Sequence, residues 1–460
     1  MRTATGWAVV GVLGVCALAA PGMDEIVALP PPVAPAAAAV ADAPPDPATA
    51  ALIADLGSPD YRAREKAGAA LAAKGEKALP DLRRALAAAD NPEVSRRLTV
   101  LVRRMDHDRL VSPKRVTFAV KNKPAKDVFD EIAKQTGYKI DFQGGGNADG
   151  RYSFDFANAP FWVAVDQVAE ATGMSVYANG GDDDVVQINS YSDAHNPHVT
   201  YAGPFRLVAT GINANKSVQL SGLNRKGFGP RPQENINLNF QIQSEPKNPI
   251  LGTLPAELTA ATDETGASLV PPKDGNNNSS RSYYNGGQRG HNAYGNVNLV
   301  RAGKDATTIK TLKGKIGIVL LAFASPEIVI ADPLKAKTRK LVGRSVELDY
   351  DAMTEANGQY TATLTVKKLG VEDPNNMDYN WSNNLWQKIE VTDAKGNRYR
   401  SYGPNNLNNN GNAVQMTIPF GPDNRRGQPQ KLGPPVKLVF NEWHQVTHEV
   451  TFEFKDIPLP

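Results

Sequence analysis

The chain has 460 residues, with 51 Lys+Arg against 48 Asp+Glu, 39 Gly, 34 Pro, a single Cys and 7% aromatics. One Cys excludes a disulfide scaffold and any cysteine-built zinc or iron–sulfur site, and a net charge of only +3 argues against a dedicated nucleic-acid binder. A 41% hydrophobic content excludes a wholly disordered chain, which leaves a multidomain globular protein of about three domains at about 150 residues each.

Trp7 to Ala20 form an apolar run after Arg2, ending in Ala17-Leu18-Ala19-Ala20. The run is shorter than the about 20 residues that span a bilayer. Its small-residue end reads as a secretory signal peptide over residues 1–20, cleaved near Ala19 or Ala20. Cys16 lies inside it; the alternative, a lipoprotein acylated at Cys16, needs a small residue where Val15 stands. Cleavage leaves a mature chain without Cys. Residues 21–50 are a Pro/Ala-rich linker, since repeated Pro breaks any helix. No later stretch is long and apolar enough to span a membrane.

Residues 51–110 carry a helical period: Leu52, Ile53 and Leu56, then Ala67, Ala70 and Leu71. Ser58-Pro59-Asp60 predicts a helix start with Ser58 as cap, and Asn91-Pro92-Glu93 predicts another. The string Gly57-Ser58-Pro59-Asp60-Tyr61-Arg62-Ala63-Arg64, followed by Ala67, Leu71 and Gly75, resembles a HEAT-type helical repeat, and Asp90, Pro92, Glu93, Val94 and Arg97 resemble the start of a second. The stretch is shorter than the about three repeats that make an independent solenoid. It serves as a helical spacer or as a small protein-docking surface.

An internal duplication occupies residues 112–192. At an offset of 36, Arg115 meets Arg151, Phe118 meets Phe154, Asn122 meets Asn158 and Pro124 meets Pro160; Asp130, Ala133, Thr136 and Gly137 then meet Asp166, Ala169, Thr172 and Gly173. Each copy reads strand, Asn-x-Pro, helix, Thr-Gly, strand. The Asn predicts an Asx-type turn, the Pro a helix opening and the Gly a left-handed stop. This order and spacing resemble the short N-terminal domain of secretins and TonB-dependent receptors over about 75 residues. The resemblance implies a small α/β interaction module of envelope machines, with no catalytic residues to carry over. Nothing after residue 190 looks like a secretin pore or a plugged barrel.

Residues 200–460 show short alternating strands between Gly, Asn, Asp and Pro, which predicts β-sandwiches. Asp263-Glu264-Thr265-Gly266 and Asp393-Ala394-Lys395-Gly396 are matching turns, and Asp332-Pro333-Leu334 and Asp456-Ile457-Pro458-Leu459 are matching exits. Two tandem sandwiches with one strand order, 200–334 and 335–460, joined near Pro333 to Arg339, account for this; one larger sandwich is the alternative. Lys335, Lys337, Arg339 and Lys340 then form a charged linker. Lys273–Asn298 and Asn405–Asn412 read as Asn-rich mobile loops.

Chemistry is sparse. His195 and His198 flank Pro197 and would hold a metal only with a carboxylate from elsewhere, while His444 and His448 lie about 13 Å apart on one strand face. Asn147-Ala148-Asp149-Gly150 and Asp182-Asp183-Asp184 suit turns as well as weak calcium sites. No nucleophile elbow, zinc helix or phosphate loop is present.

The fold class expected is multidomain α+β: a short HEAT-like helical unit, a duplicated βαβ secretin-N-like module and two tandem β-sandwich domains. The function expected is that of a non-enzymatic envelope protein, exported to the periplasm or cell surface, acting as an interaction or structural scaffold. Its partners are other envelope proteins, with no nucleic acid, no cofactor, no metal and no catalytic residue. One alternative is a carbohydrate- or polymer-binding surface protein using Trp381, Trp386, Tyr379, Tyr283 and Tyr284, with Tyr294 at the end of the same loop. Another is a hydrolase whose site the fold assembles.

Overall fold

In the computed structural model the described residues are 46–143, 150–177, 185–190, 196–219, 231–272, 289–301, 306–370, 381–382, 384–410, 412–423 and 431–460. The expected leader, most of the linker and the acidic turns at 147–149 and 182–184 lie outside them. The protein is mixed α+β and rich in sheet.

Four helices come first: α1 (Pro47–Asp55), α2 (Tyr61–Lys74), α3 (Leu79–Ala87) and α4 (Pro92–Val111). Asn91 caps α4 as expected, accepting the N–H groups of Glu93 and Val94. The cap of α2 is Asp60, which accepts the Arg62 N–H at 3.0 Å, while Ser58 Oγ accepts the Asp60 N–H. The start thus falls two residues later than expected, because the Asp60 carboxylate fills the capping place in which Ser58 was expected. Leu56, Leu71, Leu82 and Leu98 are buried together where the four helices meet.

The next segment alternates β1 (Arg115–Pro124), α5 (Ala125–Thr136), β2 (Lys139–Phe142), β3 (Arg151–Pro160), α6 (Phe161–Thr172), β4 (Ser175–Tyr177) and β5 (Val185–Asn189). β1 and β3 pair antiparallel, with Ala119 opposite Asp155 at the centre and Arg115–Pro160 and Pro124–Arg151 at the ends. The hydrogen bonds are reciprocal. Arg115 Nη1 donates to the Asn158 carbonyl and Arg151 Nη1 to the Asn122 carbonyl, both at 2.8 Å. The Asn122 N–H donates to Ser153 Oγ and the Asn158 N–H to Thr117 Oγ1, both at 3.0 Å. Within this strand pair, residues 36 apart thus make corresponding hydrogen bonds. Gly137 and Gly173 end their helices left-handed, as expected, at φ 75° and 66°. Asn122 and Asn158 are themselves left-handed, at φ 53° and 54°, and Pro124 and Pro160 sit at the cap positions just ahead of α5 and α6. β2, β5 and β4 form a second small sheet, in the order β2–β5–β4.

The remaining strands are β6 (Val199–Ala202), β7 (Phe205–Gln219), β8 (Arg231–Ser244), β9 (Ile250–Thr253), β10 (Glu257–Asp263), β11 (Asn292–Leu299) and β12 (Thr308–Ala331), then β13 (Arg339–Val342), β14 (Val346–Ala356), β15 (Gln359–Lys368), β16 (Ile389–Asp393), β17 (Arg400–Ser401), β18 (Asn406–Asn409), β19 (Ala413–Gly421) and β20 (Pro435–Pro458). They build a sheet β11–β8–β7–β6, a central sheet β10–β12–β20–β16 with β9 on β12, and a sheet β13–β14–β15–β19–β17 with β18 on β19.

β12 and β20, 24 residues each, pair along nearly their whole lengths. One core joins Leu238 and Phe240 to Ile316 from the first half of β12 and to Phe452 and Phe454 from the second half of β20. The other joins Leu348 and Leu364 to Ile330 from the end of β12 and to Leu438 and Phe440 from the start of β20. Residues on both sides of Pro333–Arg339 thus contribute to each core.

The matching turns are equivalent in detail. Asp263 Oδ1 accepts the Thr265 and Ala267 N–H groups, and Asp393 Oδ1 those of Lys395 and Asn397. Two Asn-rich stretches expected as loops contain strands instead. Asn292–Leu299 pairs residue by residue with β8, because Val297 and Leu299 alternate into the core and the amides point out. Asn406–Asn409 is an exposed edge strand on β19.

Candidate functional site: a buried polar junction and its neighbouring cleft

Ser244-Glu245-Pro246-Lys247-Asn248 runs on from the last residue of β8 and meets the helices, the βα segment and the first core. Glu245 has no exposed surface. Its carboxylate accepts the Lys114 N–H at 3.1 Å and the Tyr138 hydroxyl at 2.7 Å. Lys247 Nζ lies 3.9 Å from that carboxylate and donates to the Ser112 carbonyl. Asn248 Nδ2 donates to the Leu110 carbonyl at 2.7 Å, and the Glu245 N–H donates to the Pro204 carbonyl at 3.0 Å. Burial pushes the Glu245 carboxyl up to about 7, against the pull of its hydrogen bonds and of Lys247. Burial likewise lowers the Lys247 ammonium, and burial with the neighbouring carboxylate holds Tyr138 well above the usual phenol range, so the phenol stays a donor.

A second contact ties α6 to the four-stranded sheet. Asp166 accepts from the Tyr201 hydroxyl and from Arg206 Nε, both at 2.6 Å, and Trp162 Nε1 donates to the Pro204 carbonyl at 3.1 Å. A third ties the helices to β12: Arg109 donates to the Ala322 carbonyl at 2.7 Å, and Arg83 stands 4.0 Å over the Phe323 ring while pairing with Asp106. Sealed charges of this kind hold orientation; with Glu245 fully covered, no substrate reaches the carboxylate.

A shallow cleft opens beside the junction, lined in part by Trp162, Tyr177, Gln243, His291 and Asn292, with about 20 Å³ of free room. That is space for about one water molecule.

Of the residues singled out from sequence, Trp381 and Trp386 are half-buried and pack against the second core. Tyr283, Tyr284, Tyr379 and His195 lie outside the described residues. His198 lies within hydrogen-bond distance, 3.1 Å, of the Lys455 carbonyl. His444 and His448 sit on β20 opposite Phe323 and Ile318.

Sequence reasoning missed a Ser–His contact. Ser325 Oγ lies 2.9 Å from His444 Nε2, across the β12–β20 pairing. The Glu442 carboxylate approaches that same nitrogen at 3.7 Å, whereas an acid that orients a catalytic His holds Nδ1. The ring is stacked 4.0 Å from Phe323, and burial lowers its pKa from the ordinary value. No sequence signal could have found it, since 119 residues separate the pair.

Among the described residues no group of three or more His, Cys, Asp or Glu is placed to hold a metal, and no helix is long and apolar enough to cross a membrane. Comparison with protein-family models, curated proteins and solved structures gives no match for this chain.

Proposed function

We propose that the protein is a non-enzymatic, exported scaffold of the cell envelope, in which a HEAT-like helical unit, a duplicated secretin-N-like βαβ module and two β-sandwiches are held in fixed relation to meet other envelope proteins. The observation that carries this reading is the sealed junction around Glu245. Burying charge costs desolvation energy and stabilises little, so its effect is to fix one arrangement. The reciprocal bonds of Arg115, Asn122, Arg151 and Asn158 support the duplication.

Among the described residues β1 and β3 pair only with each other, which leaves each an outer edge. Such edges accept an added strand from a partner. The exposed Lys121 and Lys123 on β1 keep that edge from pairing indiscriminately.

The experiment is photo-crosslinking in the full-length chain, in the cells that make it, from Lys121 on β1 and from Glu355 on β14 as a distant exposed site. The reading expects the protein in the envelope fraction and discrete adducts with envelope proteins from Lys121 only. A cytoplasmic location, or identical patterns from both positions, rejects it.

A further inference from the structure

The outer face of the sheet β11–β8–β7–β6 has an unusual composition for a protein surface. On β8, Ile236, Leu238, Phe240 and Ile242 point into the core, and every residue between them is an amide: Asn237, Asn239 and Gln241, continued by Asn235 and Gln243 at either end. On β11 the outward residues are Asn292, Tyr294, Asn296 and Asn298.

Strand register aligns these into rows. Asn213, Asn237 and Asn298 lie side by side, as do Val208, Gln241 and Tyr294, and then Arg206, Gln243 and Asn292. Neighbours in a row are about 4.8 Å apart and successive rows about 6.8 Å apart; Asn213, Asn235, Asn296 and Asn298 are exposed and Asn237, Asn239 and Gln241 half-buried, while Gln243 and Val208 are buried at the end where Arg206 lies.

Three side chains of this face are oriented from the Asp166 contact. Arg206, held by Asp166, donates to Gln243 Oε1 at 2.7 Å, which fixes the carbonyl end of that amide. Gln243 Nε2 then donates to Gln241 Oε1 at 3.2 Å, and Gln241 Nε2 faces the Tyr294 hydroxyl at 3.5 Å. The Tyr294 oxygen is thereby an acceptor and its proton is left to donate outward. Tyr294 is 60% exposed. Nearby, Asn237 Nδ2 donates to Asn298 Oδ1 at 2.8 Å.

Most of the charge at the margins is paired. Arg206 is paired with Asp166, and Glu234 with Arg301 and Lys216. With one unbalanced cation at its edge, Lys216, and no cluster of like charges among the described residues, the face gives a nucleic acid or an ionic polymer little to hold. It also lacks the cluster of apolar anchors that carries binding in a protein interface. Each carboxamide both donates and accepts, which is the property of a sugar hydroxyl. Exposed tyrosines supply an apolar ring face with a wet edge. Tyr177, 52% exposed, lines the cleft that Gln243 and Asn292 also line, so the face continues into it.

We propose that this amide face binds an uncharged polysaccharide chain, laid across its rows and stacked on Tyr294. The site is distinct from the strand edges invoked above and stands independently of them.

The test is affinity electrophoresis of the full-length protein through gels containing neutral soluble polysaccharides (a glucan, a mannan and a galactan), with a carboxymethylated glucan alongside. Thermal unfolding and near-ultraviolet circular dichroism confirm that each variant is folded. Retardation by at least one neutral polymer is expected. Gln241→Ala or Tyr294→Ala should weaken it about fivefold each, the loss of about one neutral hydrogen bond, while Thr365→Ala on β15 leaves it unchanged. No retardation by any of the neutral polymers overturns the proposal. So does equal retardation by the charged glucan, or retardation that folded variants leave intact. Concentration-dependent self-association that Gln241→Ala abolishes would make the face a contact between copies of this chain, and also overturns it.

Discussion

Glu245 is fully covered, and its carboxyl is raised to about 7 from an ordinary 4.5. A raised carboxyl means that the folded state holds the proton that the unfolded chain has already lost. The contribution is therefore most favourable below about pH 4.5 and is lost as pH rises through 7, a change on the order of 3 kcal/mol. The half-buried His444 and His448 work the other way. Burial lowers both, so the folded state binds fewer protons there and their contribution falls as pH drops through the ordinary His range. Glu245→Gln isolates the carboxyl: urea unfolding at pH 5 and pH 8 should show a smaller decline in the variant than in the native chain. Equal pH dependence in both would mean that Glu245 is ionised and well solvated.

Backbone conformation gives a second test at this scale. Asn122 and Asn158 hold left-handed φ angles that an L side chain adopts at a cost of about 1 kcal/mol or more. Asn122→Ala and Asn158→Ala should each destabilise by about 1 kcal/mol in urea unfolding, and Asn122→Gly should be near neutral. Unequal losses at the two positions would count against their equivalence.

At the scale of elements, the strand and helix boundaries of residues 115–173 were legible because their signals are local. Asn-x-Pro and Thr-Gly mark boundaries by backbone chemistry, and the offset of 36 carries through to equivalent hydrogen bonds at Asn122 and Asn158. The strands at Asn292–Leu299 and Asn406–Asn409 were not legible. Their amides look like loop composition until the pairing partner is known, and only Val297 and Leu299 betray a core-facing side. The junction was also out of reach, because Lys114, Tyr138 and Glu245 meet across more than a hundred residues of chain. So was the amide face, which exists only once β7, β8 and β11 lie in register.

Gly203 shows how tightly these elements meet. It has φ +57°, and a Cβ there would stand 2.7 Å from the Val111 carbonyl oxygen at the end of α4. Gly203→Ala should cost at least about 2 kcal/mol from strain and clash combined, read as a lowered urea midpoint. An unchanged midpoint would show that α4 and the β6–β7 turn separate freely.

The whole described body depends on two interlocks. Long-range packing of β12 and β20 makes each core incomplete without strand residues from both halves of the chain, and the polar junction binds the helices and the βα segment to the first core. Phe452→Ala, which empties a nearly buried site in the first core, is expected to destabilise by about 3–5 kcal/mol and to lower the midpoint reported by every module.

A surface such as the amide face is useful as a platform only if the body beneath it keeps its shape. Scanning calorimetry of the full-length chain, with the calorimetric enthalpy compared with the van't Hoff enthalpy, tests that rigidity most directly. A single transition with the two enthalpies equal is the predicted result. Separate transitions, with the helical and βα segments melting apart from the sheets, would contradict it.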